Sequence, residues 1–152
     1  MAIARGAGTE IIRSAHLEYD AANTTDQTLI YGVQHHIYTV LSVICSCVIE
    51  GSLEMYLNGY DSIGGTTNSN MTVFQSGVTS TLDTFVWNDK FSFNGAEPAN
   101  FTGPMDDATK QNAIADQDDG NGSYVAQQLR VYKSTTAAKW DITVTYIDQN
   151  NA

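Results

Sequence analysis

The stretch Ile37-Tyr-Thr-Val-Leu-Ser-Val-Ile-Cys-Ser-Cys-Val-Ile49 decides how the chain is read. Its odd positions, Ile37, Thr39, Leu41, Val43, Cys45, Cys47 and Ile49, form an almost wholly apolar row. Its even positions, Tyr38, Val40, Ser42, Ile44, Ser46 and Val48, are mixed. A period of two marks a strand, because successive side chains leave opposite faces of a pleated backbone. The expectation is a long strand with its odd face in a core. The even face is then only partly covered, and Tyr38, Val40, Ile44 and Val48 are candidates for an interface with a neighbouring subunit. Thirteen residues is long for a strand, so a bend or bulge is expected near Ser42.

The flanking segments repeat the pattern. Glu10 to Tyr19 alternates, with Ile11, Ala15 and Leu17 on one side and Ile12, Ser14, His16 and Glu18 on the other. Leu29–Val33, Leu53–Asn58, Met71–Gln75, Thr84–Trp87, Lys90–Phe93, Val125–Tyr132 and Trp140–Ile147 also read as strands. Turn chemistry separates them at Asn58-Gly59, Gly64-Gly65, Asn88-Asp89 and Asn94-Gly95, where small residues accept unusual backbone angles. About eight or nine strands follow, and an antiparallel β-sandwich, jelly-roll-like if eight strands fill two facing sheets. The one helical candidate, Met105 to Asp116, follows Pro104 and has an acidic first turn, as helix starts do. It lies inside a long acidic insertion, residues 97–123. The whole chain, 1–152, reads as a single domain.

Seventeen acids oppose seven Lys+Arg, giving a net charge of −10. A general basic surface for nucleic acid is thereby excluded, since too little positive charge is available to release phosphate counterions. Docking on anionic membranes is disfavoured for the same reason. No run of about 20 apolar residues is available for a membrane-spanning helix. Residues 1–8 lack an apolar signal core, so cytoplasmic synthesis is expected. Cys45 and Cys47 lie two apart on one strand face, a poor geometry for a mutual disulfide; they read as small buried hydrophobes.

No Gly-x-Ser-x-Gly, His-Glu-x-x-His or phosphate-binding glycine loop occurs, so no catalytic or cofactor-binding residues are assigned. His35 and His36 are adjacent and would point to opposite sides of a strand, so they cannot chelate one metal together. Counted from Asp116, the acidic run ending in Gly-Asn-Gly misses the calcium-loop pattern at positions five, six and twelve, which hold Gly120, Asn121 and Gln127; no metal site is assigned.

Three stretches carry a resemblance. They are Leu29-Ile-Tyr-Gly-Val-Gln-His-His-Ile-Tyr-Thr-Val-Leu-Ser-Val-Ile-Cys running into Met55-Tyr-Leu-Asn-Gly-Tyr-Asp, then Thr84-Phe-Val-Trp-Asn-Asp-Lys-Phe-Ser-Phe-Asn-Gly, and the ending Asp141-Ile-Thr-Val-Thr-Tyr-Ile-Asp-Gln-Asn-Asn-Ala. Together they resemble small virion structural proteins of marine tailed phages, particularly those infecting cyanobacteria. The resemblance implies a non-enzymatic virion protein, a capsid decoration or cement protein. The implied partners are the major capsid protein or other virion proteins and further copies of the chain, with a trimer as one arrangement. A tail- or fibre-associated module binding a receptor glycan is the alternative.

Overall fold

The computed structural model describes residues 9–61, 63–98 and 124–150. Among them the chain forms eleven strands and no helix. In chain order these are β1 (Glu10–Tyr19), β2 (Gln27–Tyr31), β3 (His36–Ile49), β4 (Leu53–Asp61), β5 (Thr66–Gln75), β6 (Thr84–Trp87), β7 (Phe91–Asn94), β8 (Ala96–Pro98), β9 (Tyr124–Ala126), β10 (Gln128–Lys133) and β11 (Lys139–Asn150). The expected helix at Met105 to Asp116 and the acidic run from Asp116 lie outside the described residues, as does the insertion beyond Pro98.

All pairing is antiparallel. One sheet, sheet A, has the order β1-β11-β3-β6, with β7 continuing along the same side of β3 as a broken edge. The second, sheet B, has the order β2-β10-β4-β5. Strands β8 and β9 form a small separate ribbon. With β6 and β7 counted as one broken strand, the pairs nest: first with last, second with second-last, third with sixth and fourth with fifth. This places alternate pairs in facing sheets and makes an antiparallel β-sandwich.

The core lies between the inner faces. Val43, Cys45 and Cys47 of β3 and Trp140, Ile142 and Val144 of β11 meet Leu53, Met55 and Leu57 of β4 and Leu129 and Val131 of β10. The expected irregularity in β3 is present. Thr145 faces Ser42 and Tyr146 faces Val40, so Leu41 is an extra residue. An extra residue reverses which parity faces inward. Even residues Tyr38 and Val40 are therefore buried before it, and odd residues Val43, Cys45 and Cys47 after it. A second bulge at Val48, between the partners of Lys139 and Trp140, releases Ile49 to the surface.

The expected turn at Asn58-Gly59 is a continuous part of β4. Asn58 Nδ2 donates to Asn68 Oδ1 (2.5 Å) and Asn70 Oδ1 (2.6 Å). These cross-strand bonds extend the ladder past a dipeptide that locally favours reversal. They also make a strand of Thr66–Asn70, which has no apolar alternation to signal one.

Two interior devices close the ends of the sandwich. At one end Lys133 is buried, and its Nζ donates to the carbonyls of Asp20, Thr136 (3.0 Å) and Ala138 (2.9 Å). The three ammonium protons are thus matched by three acceptors, and the Tyr19 ring lies 4.7 Å away. Toward the other end, buried Asp148 accepts from Arg13 Nε (3.0 Å) and His36 Nδ1 (2.6 Å), tying β1 and β3 to β11.

Candidate functional site

The outward face of sheet A is a candidate contact surface. Regular alternation along β1 and β11 points Ile12, Ser14 and His16, and Thr143, Thr145 and Ile147, away from the core. Register then aligns them in rows across the sheet. Ile12, Ile147, Thr39 and Ser92 form one row, and His16, Thr143, Ile44 and Val86 another. Ser14, Thr145 and Ser42 lie between them. Ile12 is 71 % exposed, Val86 is 58 % exposed, and Ile37 and Ile44 are also exposed.

Its chemistry differs from that of the chain as a whole. No Asp, Glu, Lys or Arg stands in these three rows, although the net charge is −10. The acids Glu10, Glu18 and Asp141 border them, and Lys139 pairs with Glu18 at one end. That hydrogen bond holds the Lys139 ammonium above its ordinary pKa. Several polar groups bond sideways within or beside the rows: His16 Nδ1 with Thr143 Oγ1, Thr39 Oγ1 with Ser92 Oγ, and Ser46 Oγ with Thr84 Oγ1, each at 2.9 Å. Such pairs use hydrogen-bonding capacity within the sheet. The surface offered outward is then largely β-branched methyl groups, which lose little when water is removed.

Of the four interface candidates, Ile44 stands in the middle of this surface. Val48 is half-buried at its bulge. Tyr38 and Val40 are corrections: both are core residues. The Leu41 bulge turns them inward, where Tyr38 stacks on Phe93 at 5.3 Å. Val86, Ile12 and Ile147 belong to the face but were not singled out from sequence. The outward sides of β1 and β11 were legible, but their alignment with Ile44 depends on strand order.

The outward face of sheet B is different. Tyr56, on this side of β4, is buried beneath Arg130, whose guanidinium lies 6.0 Å from the ring centre, and donates its hydroxyl to Asp26. Burial first, and the Asp26 carboxylate second, raise the Tyr56 pKa. Tyr31, opposite Gln128, is 63 % exposed on the same side, and Tyr132, two residues along β10 from Arg130, is 43 % exposed.

The cysteines are free and buried. Burial pushes the Cys45 thiol up to about 12, a direction that suppresses thiolate reactivity. His36 is held by Asp148. Among the described residues no three His, Cys, Asp or Glu side chains gather as metal ligands. Glu97 accepts from Asn94 Nδ2 (3.0 Å) and Gln127 Nε2 (3.4 Å), and burial raises its pKa. It stands in β8, at the base of the segment that begins at residue 99.

Fold and surface together define an all-β sandwich in which three central rows of one outer face are uncharged. No family model matches the chain, and neither the curated proteins nor the solved structures yield a match.

Proposed function

We propose that this chain is a non-enzymatic structural protein of a phage virion, a decoration or cement protein on the outside of the head. The observation that carries the reading is the outward face of sheet A. Its three central rows are uncharged and rich in β-branched side chains on an otherwise acidic molecule. Such a face can desolvate against a shell without stranding a charge. Binding only the assembled shell would stabilise it by mass action. The nested strand pairing supports a jelly roll, an architecture found among capsid proteins. The resemblance of the quoted stretches to marine phage virion proteins points the same way. On this reading the protein is made in the host cytoplasm, and its partners are the major capsid protein and further copies of itself.

The experiment is reconstitution on stripped heads. Wild-type protein should rebind and restore resistance to heat, whereas Ile44→Asp combined with Val86→Asp should remain in solution while still folding. Equal rebinding by the double variant, or heads whose resistance is unchanged by the protein, would overturn the proposal.

Tyr31 and Tyr132, exposed on the outward face of the other sheet with Gln128 and Arg130 between their levels, favour a second reading as a tail- or fibre-associated glycan-binding module. Aromatic faces bordered by planar polar groups suit sugar stacking. A glycan array decides it: binding lost on Tyr31→Ala supports this reading, and silence across the array removes it.

A further inference from the structure

Strand β5 ends sheet B, and no described strand pairs with its outer side. Unpaired edges are templates for pairing, and folded chains blunt them with charge, proline, shortness or bulges. Edge strands β6 and β7 are four residues each, broken by Asn88-Asp89-Lys90. Edge strand β2 has five residues, and β1 carries Glu10, Arg13 and Glu18. By contrast β5 reads Thr66-Thr-Asn-Ser-Asn-Met-Thr-Val-Phe-Gln75, ten residues with no charge and no proline. Its ladder is interrupted at Val73 and again between Thr66 and Ser69, leaving a regular run from Ser69 to Thr72.

Behind that run is a cleft of about 270 Å³ between the two sheet edges, lined by Leu57, Met71, Val73, Trp87 and Phe91 together with the charged Asp89 and Lys90. The cleft is below the size of a typical small-molecule pocket, about 300 Å³ and upward. Met71 lies opposite core residue Leu57, so it is on the inward side of β5, yet it is 61 % exposed. An open backbone edge and a largely apolar slot with Asp89 and Lys90 in its lining therefore coincide, the combination used when a strand is added to a sheet.

We infer that β5 pairs antiparallel with β5 of a second copy about a two-fold axis near Met71, the two Met71 side chains closing both clefts. Charge selects this occupant. Copies carrying −10 each repel wherever acids meet, whereas β5 itself carries no acid and the one acid lining the cleft, Asp89, is accompanied there by Lys90. Self-pairing is also what a two-fold axis requires, since one patch must complement itself. With Met71 on the axis, Asn70 of one copy lies beside Thr72 of the other on the outward face, a polar cross-strand pair. Flexible methionine side chains fill irregular space well. The inference is independent of the virion reading.

The test is sedimentation of the purified full chain over a wide concentration range, with amide hydrogen exchange along β5. Wild type should form a dimer whose β5 amides gain protection as the dimer forms. Met71→Lys and Met71→Glu should each sediment as monomers, because like charges then meet at the axis. An equimolar mixture of the two should recover the dimer, which also establishes that both variants fold. A wild-type monomer at every concentration, a dimer unaffected by either substitution, a mixture that fails to associate, or an oligomer with unprotected β5 amides would each overturn it.

Discussion

Replacing Lys133 by Met tests whether the buried ammonium holds one end of the sandwich. The substitution keeps a long apolar stem but removes the donor to the carbonyls of Asp20, Thr136 and Ala138. Hydrogen bonds to a charged group are worth about 1.5–3 kcal/mol each, and a buried acceptor left alone costs about 1–3 kcal/mol. The Asp20 and Thr136 carbonyls belong to half-buried or exposed loop residues and can turn to water, whereas Ala138 is fully buried. Relief from holding a charge out of water offsets part of the loss. The expected net destabilisation is about 3 kcal/mol, which for a chain of this size lowers the melting temperature by about 6–12 °C. Urea unfolding and calorimetry of Lys133→Met beside wild type measure it.

The pH dependence supplies a second readout. Burial lowers the Lys133 pKa in the folded state, with Asp20 acting against it. The unfolded chain then binds this proton more tightly, so folded stability rises with pH across the window between the lowered and the ordinary lysine value. Lys133→Met should lack that contribution. A variant melting within about 2 °C of wild type, below the shift expected for a single kilocalorie, would refute the assignment of Lys133 as the tie among these carbonyls.

Gly32→Ala should destabilise by about 3 kcal/mol through overpacking, since its Cβ would lie 2.1 Å from the Gly95 carbonyl oxygen and 2.2 Å from that of Gln127. Gly59→Ala should be much milder, because its nearest neighbour is the Gln127 side chain; denaturant melts compare the two. Cys45 contributes to alkaline unfolding: its pKa rises from 9.0 to about 12 on folding, so stability present below pH 9 is lost as pH climbs toward 12. The full difference is about 4 kcal/mol, and Cys45→Ala should flatten the stability profile over that range under reducing conditions. Deleting Leu41 should abolish cooperative melting, because either Tyr38 and Val40 or Val43, Cys45 and Cys47 would be turned out of the core; near-ultraviolet circular dichroism during a thermal scan reads the loss.

Strands with strict alternation were legible. Glu10–Tyr19 and Thr84–Trp87 match the expected bounds, and Trp140, Ile142 and Val144 face inward. Short strands β8 and β9 were not separated, since three residues carry too little period to register. Lys133 gave no warning of burial: lysine is almost never buried unless paired, and its partners are carbonyls from Asp20, Thr136 and Ala138. The candidate surface was half legible. Strict alternation places Ile44 on it correctly but also places Tyr38 and Val40 there, because a period of two counts every residue equally and takes no account of the extra residue at Leu41.

The sequence by itself determined the all-β class, the need for an irregularity near Ser42 and the acidity of the molecule, because these follow from local alternation and composition. Tertiary structure alone decided which residues share a face. One extra residue at Leu41 inverts the parity of half a strand, and the order β1-β11-β3-β6 brings Ile12, Ile147, Ile44 and Val86 onto one surface from distant parts of the chain. Side-chain direction is a local property, but adjacency across a sheet depends on which strands pair.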